Sequence, residues 1–252
     1  MRRREFLLTP LVLAAQTKRR EIAIFNTPPP EELRSQCVVF PRAYTCCPEP
    51  AAALRALETS RYPNAARPED PTLIAFRTEP FRADPNLISV FTSAAGDGVD
   101  SPLESSIRVP LAIWAPGVFA PRAAEEILIS TVDLAPTLLA LRGDPVPDHT
   151  QGRDLSALLL RRSNELPDSV YIEGGIGTVA EWRAVIRGFD KAVMDLSGNV
   201  THLYNLAEDP EERSNLVLDP NTQLTRDALV ALARVWMRRL GDGIDPSGLR
   251  RR

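Results

Sequence analysis

The chain has 252 residues, enough for one large domain or a main domain with a small appendage. Its 44% apolar and 25% charged content, net charge of −3 and pI near 5.6 exclude a disordered polyampholyte and argue against a general nucleic-acid binder. Three cysteines cannot build a disulfide scaffold, two histidines argue against a His-built metal site, and no apolar run reaches the ~18–20 residues of a membrane span.

The chain opens MRRREFLLTPLVLAA, with Arg2, Arg3 and Arg4 ahead of an apolar stretch that closes on Ala14 and Ala15. Residues 1–15 thus have the layout of a secretory signal peptide, and Arg3-Arg4-Glu5-Phe6-Leu7 resembles a twin-arginine export signal. The expected destination is the periplasm or the exterior, where Cys37, Cys46 and Cys47 would be disulfide-competent with one left over.

Proline, at 23 residues, is well above its usual ~5% share and predicts short elements with stiff connections. Residues 21–25 (EIAIF) and 36–40 (QCVVF) read as buried strands. Residues 49–59 have no breaker after Pro50, so a helix is predicted with proline in its first turn. Residues 72–76, 87–92, 109–114 and 126–130 are further strands. The third of these six strands, at 72–76, is bounded by Pro71 and Arg77. The 87–92 run enters Ala94-Ala95-Gly96-Asp97-Gly98, a turn at the strand end where ligands sit in open α/β sheets.

Asp133 reads as the N-cap of a helix carrying Leu134, Leu138 and Leu141 on one face, stopped by Gly143. Asp154 reads as the start of a second leucine-rich helix through Leu160. From Ser169 the pattern changes to VYIEGG, WRAVIRG, KAVMD and THLYNL, short strands between Gly and Asp turns, which predict an antiparallel sheet. Residues 224–240 form an amphipathic helix with Leu229, Leu232, Val235, Trp236 and Leu240 on its inner stripe. This order predicts an α/β domain over 21–165, an α+β subdomain over 166–243 and a flexible tail over 244–252.

Residues 108–159 contain a strand ending in Pro116-Gly117, a Val-Asp-Leu-x-Pro-Thr run at 132–137 and Gly-Arg-Asp-Leu at 152–155. Residues 202–216 read HLYNLAEDPEERSNL. In this order the pieces resemble the sulfatase family of the alkaline-phosphatase superfamily. The resemblance implies a truncated alkaline-phosphatase-like sandwich with a mostly parallel sheet, plus a small C-terminal antiparallel α+β subdomain. It also implies sulfuric-ester hydrolysis by a cation held on several carboxylates and a cysteine matured to formylglycine, because the ester oxygens need polarising and the nucleophile activating.

At each place where the family keeps that machinery, this sequence departs from it. Asn26 and Thr27 stand where the first strand should end in paired aspartates. Counting back without a gap from Tyr62-Pro63 puts Pro50 at the cysteine position and Leu54 at that of the activating arginine. A shifted register using Cys46 or Cys47 with Pro48 leaves Pro50 or Ala51 at the arginine position. Ala94 and Ala95 occupy the remaining ligand positions, with Asp97 as a residual carboxylate. Between Pro63 and the 87–92 strand lie only about two dozen residues, where the family carries a long insert.

The expectation is therefore an exported sulfatase-like protein that has lost sulfuric-ester hydrolysis, holds no cofactor and binds an anionic saccharide, a sulfated small molecule or a family partner. Open strand edges would favour a homodimer. The alternative is a divergent sulfuric- or phosphate-ester hydrolase using Ca²⁺ or Mg²⁺ with Asn26, Cys46 or Cys47, and Asp97. Arg55 and Arg61 are candidates for a shallow basic pocket, and Arg183, Arg187 and Lys191 read as solvated or salt-bridged. His149 and His202 carry no expected role; Asp144 and Asp148 read as turn residues and Asp154 as a cap.

Overall fold

A computed structural model describes residues 20–97 and 99–242; the leader expected over 1–15 and the tail over 244–252 lie outside them. In chain order the elements are β1 (Glu21–Phe25), α1 (Glu31–Arg34), β2 (Val38–Val39), β3 (Ala43–Tyr44), α2 (Pro50–Thr59), β4 (Leu87–Thr92), α3 (Glu104–Ile107) and β5 (Leu111–Trp114). They continue with β6 (Arg122–Ala123), β7 (Ile129–Ser130), α4 (Leu134–Arg142), α5 (Ser156–Leu159), β8 (Ser169–Gly174), β9 (Trp182–Arg187), β10 (Asp190–Asp195), β11 (Val200–Asn205) and α6 (Gln223–Leu240).

The first sheet has the order β1-β4-β5-β2-β6. β1 pairs with β4, and β2 with β6, in parallel; β5 is antiparallel to both its neighbours, so four of the five strands point one way. Alternation along the strands separates two cores. Ile24, Val38, Val90 and Ile113 pack with Leu57 of α2, Leu134 and Leu138 of α4 and Leu158 of α5. On the opposite face Phe25, Phe91, Ala112 and Trp114 pack with Leu33 of α1 and Phe81.

The second sheet, β11-β10-β9-β8, is antiparallel throughout. One face meets α6, whose buried stripe is Leu229, Ala233, Trp236, Met237 and Leu240. Val235, expected inside, is half exposed, because a stripe through 229, 233, 236 and 240 leaves position 235 on the helix flank. This core also takes in Cys46, Ala53, Ala56 and Tyr62 from the first half of the chain. A separate cluster on the other face joins Val170, Ile172, Trp182 and Val193 to Tyr44, Ile107 and Leu128.

Several expected elements are shorter. Residues 72–76 contribute one parallel bridge, Ile24↔Phe76, instead of a strand. Their backbone is drawn elsewhere: the Leu73 and Ile74 N–H groups both donate to the Glu58 carbonyl at the end of α2. The strand expected over 36–40 is confined to β2, and that over 126–130 to β7, which pairs in parallel with β3. The second leucine-rich helix shrinks to α5. Asp154 lies before it, its Oδ1 accepting the Ser156 N–H at 2.8 Å as an Asx turn.

The Val-Asp-Leu and Gly-Arg motifs prove to be two halves of one clasp. Asp133 does not cap α4 with its side chain. Its Oδ2 accepts Nη2 of Arg153 (2.7 Å) and the Ser130 N–H (2.9 Å), while Oδ1 accepts the Arg153 N–H (2.7 Å). Arg153 Nη1 reaches on to the Ser169 carbonyl (2.8 Å) at the start of β8. Gly152 is required there: a Cβ would stand 1.9 Å from the Val132 carbonyl oxygen. Ser60, in the left-handed region at φ 56°, donates its hydroxyl to that same carbonyl and accepts the Gly152 N–H.

Arg183 and Lys191, which alternation would leave to solvent or to salt bridges, are fully buried and paired. Arg183 bonds Asp242 and Glu181 at 2.5 and 2.6 Å. Lys191 pairs with Glu212 and, at 3.5 Å, with Glu104. Arg187 is exposed, in keeping with a solvated reading.

Candidate functional site

β1 and β4 are neighbours that end in register, Phe25 opposite Phe91, so Asn26 and the Ser93–Gly96 turn leave the sheet side by side. α2 presents Pro50, Leu54 and Glu58 at successive steps of four, one face of a helix. Together with Phe76 these groups line a cleft of about 560 Å³ containing Asn26, Ala94 and Ala95. Five positions singled out from the sequence, Asn26, Pro50, Leu54, Ala94 and Ala95, thus meet in one place at the strand ends. Gly96 is needed for the turn to seat against α3, since a Cβ would come within 2.6 Å of the Ser105 and Ser106 carbonyl oxygens.

The other expected site residues lie elsewhere. Cys46 and Cys47 are wholly buried behind α2 in the α6 core and do not line the cleft. Cys46 is fixed through its backbone, donating to Thr131 Oγ1 (3.3 Å) and accepting the Glu173 N–H (2.8 Å). Hydrogen bonding to the Cys46 thiol, followed by burial, pushes the Cys47 thiol well above its ordinary range, opposing a reactive thiolate. All three cysteines are buried free thiols. Asp97 is exposed and lines a different groove of about 700 Å³, beside Arg34, Glu104 and Arg108. Asn26, the cysteines and Asp97 are therefore not gathered into one rearranged site.

Nor do Arg55 and Arg61 form a basic pocket here. Arg55 donates to the carbonyls of Arg67, Pro68 and Asp70. Arg61 donates to the carbonyls of His149 (2.8 Å) and Ala65 (2.9 Å), with the Asp70 carboxylate 3.6 Å away. Both guanidinium groups tie down the 64–70 and 149 loops, which explains their positions structurally. His149 enters this arrangement only through its carbonyl, and His202 sits on β11 with its ring against the Thr201 hydroxyl.

Two cleft residues escaped the sequence reading: Phe76, mistaken for part of a strand, and Glu58. Glu58 lies one helical face along from Pro50 and Leu54, the signal that could have found it. Burial pushes its carboxyl above the usual range, with Arg55 pulling weakly the other way. The donor set does not fit the divalent cation that the resemblance implies. The resemblance implies a cage of several carboxylates, and the cleft offers the amide of Asn26, the hydroxyl of Ser93 and one carboxylate. Among the described residues no group of three or more His, Cys, Asp or Glu is placed to hold a metal ion.

The sequence profile of the family described as N-sulphoglucosamine sulphohydrolase, C-terminal, matches residues 102–235. The chain belongs to the sulfatase family. It is 42% identical over 80 residues, 30% of its length, to the extracellular sulfatase SULF-1 homolog of Drosophila melanogaster, covering 7% of that protein. It is 26% identical over 170 residues, 56% of its length, to an endo-4-O-sulfatase of Bacteroides thetaiotaomicron, covering 33% of it. The chain thus spans a third or less of the length of these relatives. The solved structure of a 2-O GAG sulfatase superposes with a TM-score of 0.75 at 16% identity, over 89% of this chain and 93% of that one, which shows the alkaline-phosphatase-like α/β fold. Among the described residues no helix is long and apolar enough to cross a membrane.

Proposed function

We propose that this chain is an exported sulfatase-family binding protein that does not itself hydrolyse sulfuric esters. The observation that carries the reading is the composition of the cleft at the strand ends: proline and leucine on α2, and asparagine and two alanines on the loops, with no cysteine facing it. Attack on sulfur requires a nucleophile beside a centre that polarises the ester oxygens, and these side chains supply neither. What survives intact is framework: the Asp133–Arg153 clasp and Gly152 hold the strand ends and the second sheet in place. A saccharide is the ligand class we propose, on the strength of structural neighbours described as a 2-O GAG sulfatase and as a complex with D-glucosamine-2-N,6-O-disulfate. Export is proposed from the arginine-fronted leader.

The test is an aryl-sulfate assay on the purified full chain with added Ca²⁺ or Mg²⁺, alongside metal analysis and intact-mass spectrometry. The expected result is no chelator-sensitive turnover, no stoichiometric metal and no mass change for formylglycine. Turnover abolished by a chelator would overturn the reading.

A further inference from the structure

The cleft carries a charge preference opposite to that of a sulfate-ester site. Its one ionisable lining group is Glu58, a half-buried carboxylate with no ion pair or side-chain hydrogen bond among the described residues. No lysine or arginine lines it. The nearest candidate, Arg55 one turn earlier, spends its guanidinium on the 67–70 carbonyls. Asn26, exposed, lines the same cleft, which therefore offers a ligand an amide as well as a carboxylate. The rest of the wall is apolar: Pro50, Leu54, half-buried Phe76 and the two alanines.

Small-molecule sites combine such an apolar surface with a few polar groups that fix orientation, in volumes that include this one. The C–H face of a pyranose ring would lie on Phe76 and Leu54, hydroxyls would meet Asn26, and an ammonium would meet Glu58. A sulfate would instead be brought beside a carboxylate whose charged neighbour, Arg55, has its guanidinium turned to the 67–70 carbonyls and does not line the cleft.

Resting on the reading of this chain as a non-hydrolysing saccharide binder, we infer that the cleft selects an unsulfated amino sugar and rejects a sulfated one. Glu58 is the residue that sets the preference and Leu54 the position whose lost charge permits it.

The experiment is calorimetric titration of the full chain with three probes, glucosamine, glucose and glucose 6-sulfate, with amide NMR shifts locating the site. Glucosamine should bind more tightly than glucose by up to about fivefold, the upper end for one solvent-accessible ion pair, and shift the Ala94–Gly96 amides. Glucose 6-sulfate should bind most weakly. Glu58→Gln should bring glucosamine down to the level of glucose. Leu54→Arg, at a position already 37% exposed and so tolerant of a longer side chain, should raise glucose 6-sulfate above glucosamine. The inference falls if the sulfated sugar binds as well as glucosamine, if Glu58→Gln changes nothing, or if none of the three sugars binds. Chelator-sensitive aryl-sulfate turnover would sink the functional reading separately, because the charge preference is measured without any reaction.

Discussion

Glu173 shows how far a single side chain can depart from its ordinary chemistry. It lies fully buried on β8, its Oε2 accepting the Asn64 N–H at 3.0 Å. Burial, set against the nearby Arg183 guanidinium, pushes its carboxyl up to about 7. Arg183 cannot neutralise it alone, being already bonded to Asp242 and Glu181. Because the folded chain holds this proton more tightly than the unfolded one, stability should be fullest below the usual carboxylate range. It should fall as pH rises toward 7, by on the order of 3 kcal/mol in all. Urea denaturation between pH 5 and 8 checks this, and Glu173→Gln should flatten that part of the profile. At the same scale, Asp133→Ala would leave the Arg153 guanidinium facing the Ser169 carbonyl without its carboxylate. The expected loss is about 3 kcal/mol in urea midpoint measurements, with any smaller cost than 1 kcal/mol counting against the clasp.

Elements were legible wherever local pattern and tertiary demand agreed. β1, β4 and α6 follow directly from EIAIF, LISVFT and the leucine spacing after residue 223, since each is bounded by turn residues and buries one continuous stripe. The 72–76 segment has the same composition as a strand, but its N–H groups are claimed by the end of α2, a partner no window of sequence reveals. Asp133 illustrates the same limit: its spacing before a leucine run resembles a cap, while its partner Arg153 lies twenty residues on. Arg183 and Lys191 were unreadable as core because Asp242 and Glu212 reach them from distant segments. In the cleft, by contrast, Asn26, Pro50, Leu54, Ala94 and Ala95 could be placed from the sequence, because family spacing fixes them to strand and helix ends; Glu58 and Phe76 have no such marker. At this scale the sharpest test is Gly152→Ala. Its Cβ would strike the Val132 backbone carbonyl instead of a movable side chain, so a loss near the upper end for overpacking, about 3 kcal/mol, is expected from chemical denaturation.

Across the whole molecule, the boundary between the two sheets is a shared interior. Tyr62 and Cys46 from the first half pack with Tyr171 and Trp236 from the second, the two latter rings stacked with centroids 6.0 Å apart. Arg153 bridges the same seam, and Trp236 Nε1 donates to Ser169 Oγ at 3.0 Å. Calorimetry should therefore show one cooperative transition with matching calorimetric and van't Hoff enthalpies; two resolved peaks would mean the seam does not couple the halves.

The three tryptophans fall into three different interior compartments: Trp114 beside Phe81, Trp182 on the face of the second sheet away from α6, and Trp236 on the inner stripe of α6. Single-tryptophan proteins, with the other two replaced by phenylalanine, would give each compartment its own fluorescent voice. Stopped-flow emission from the three could then time the order in which the layers dry out as the chain collapses, a film of assembly recorded from inside.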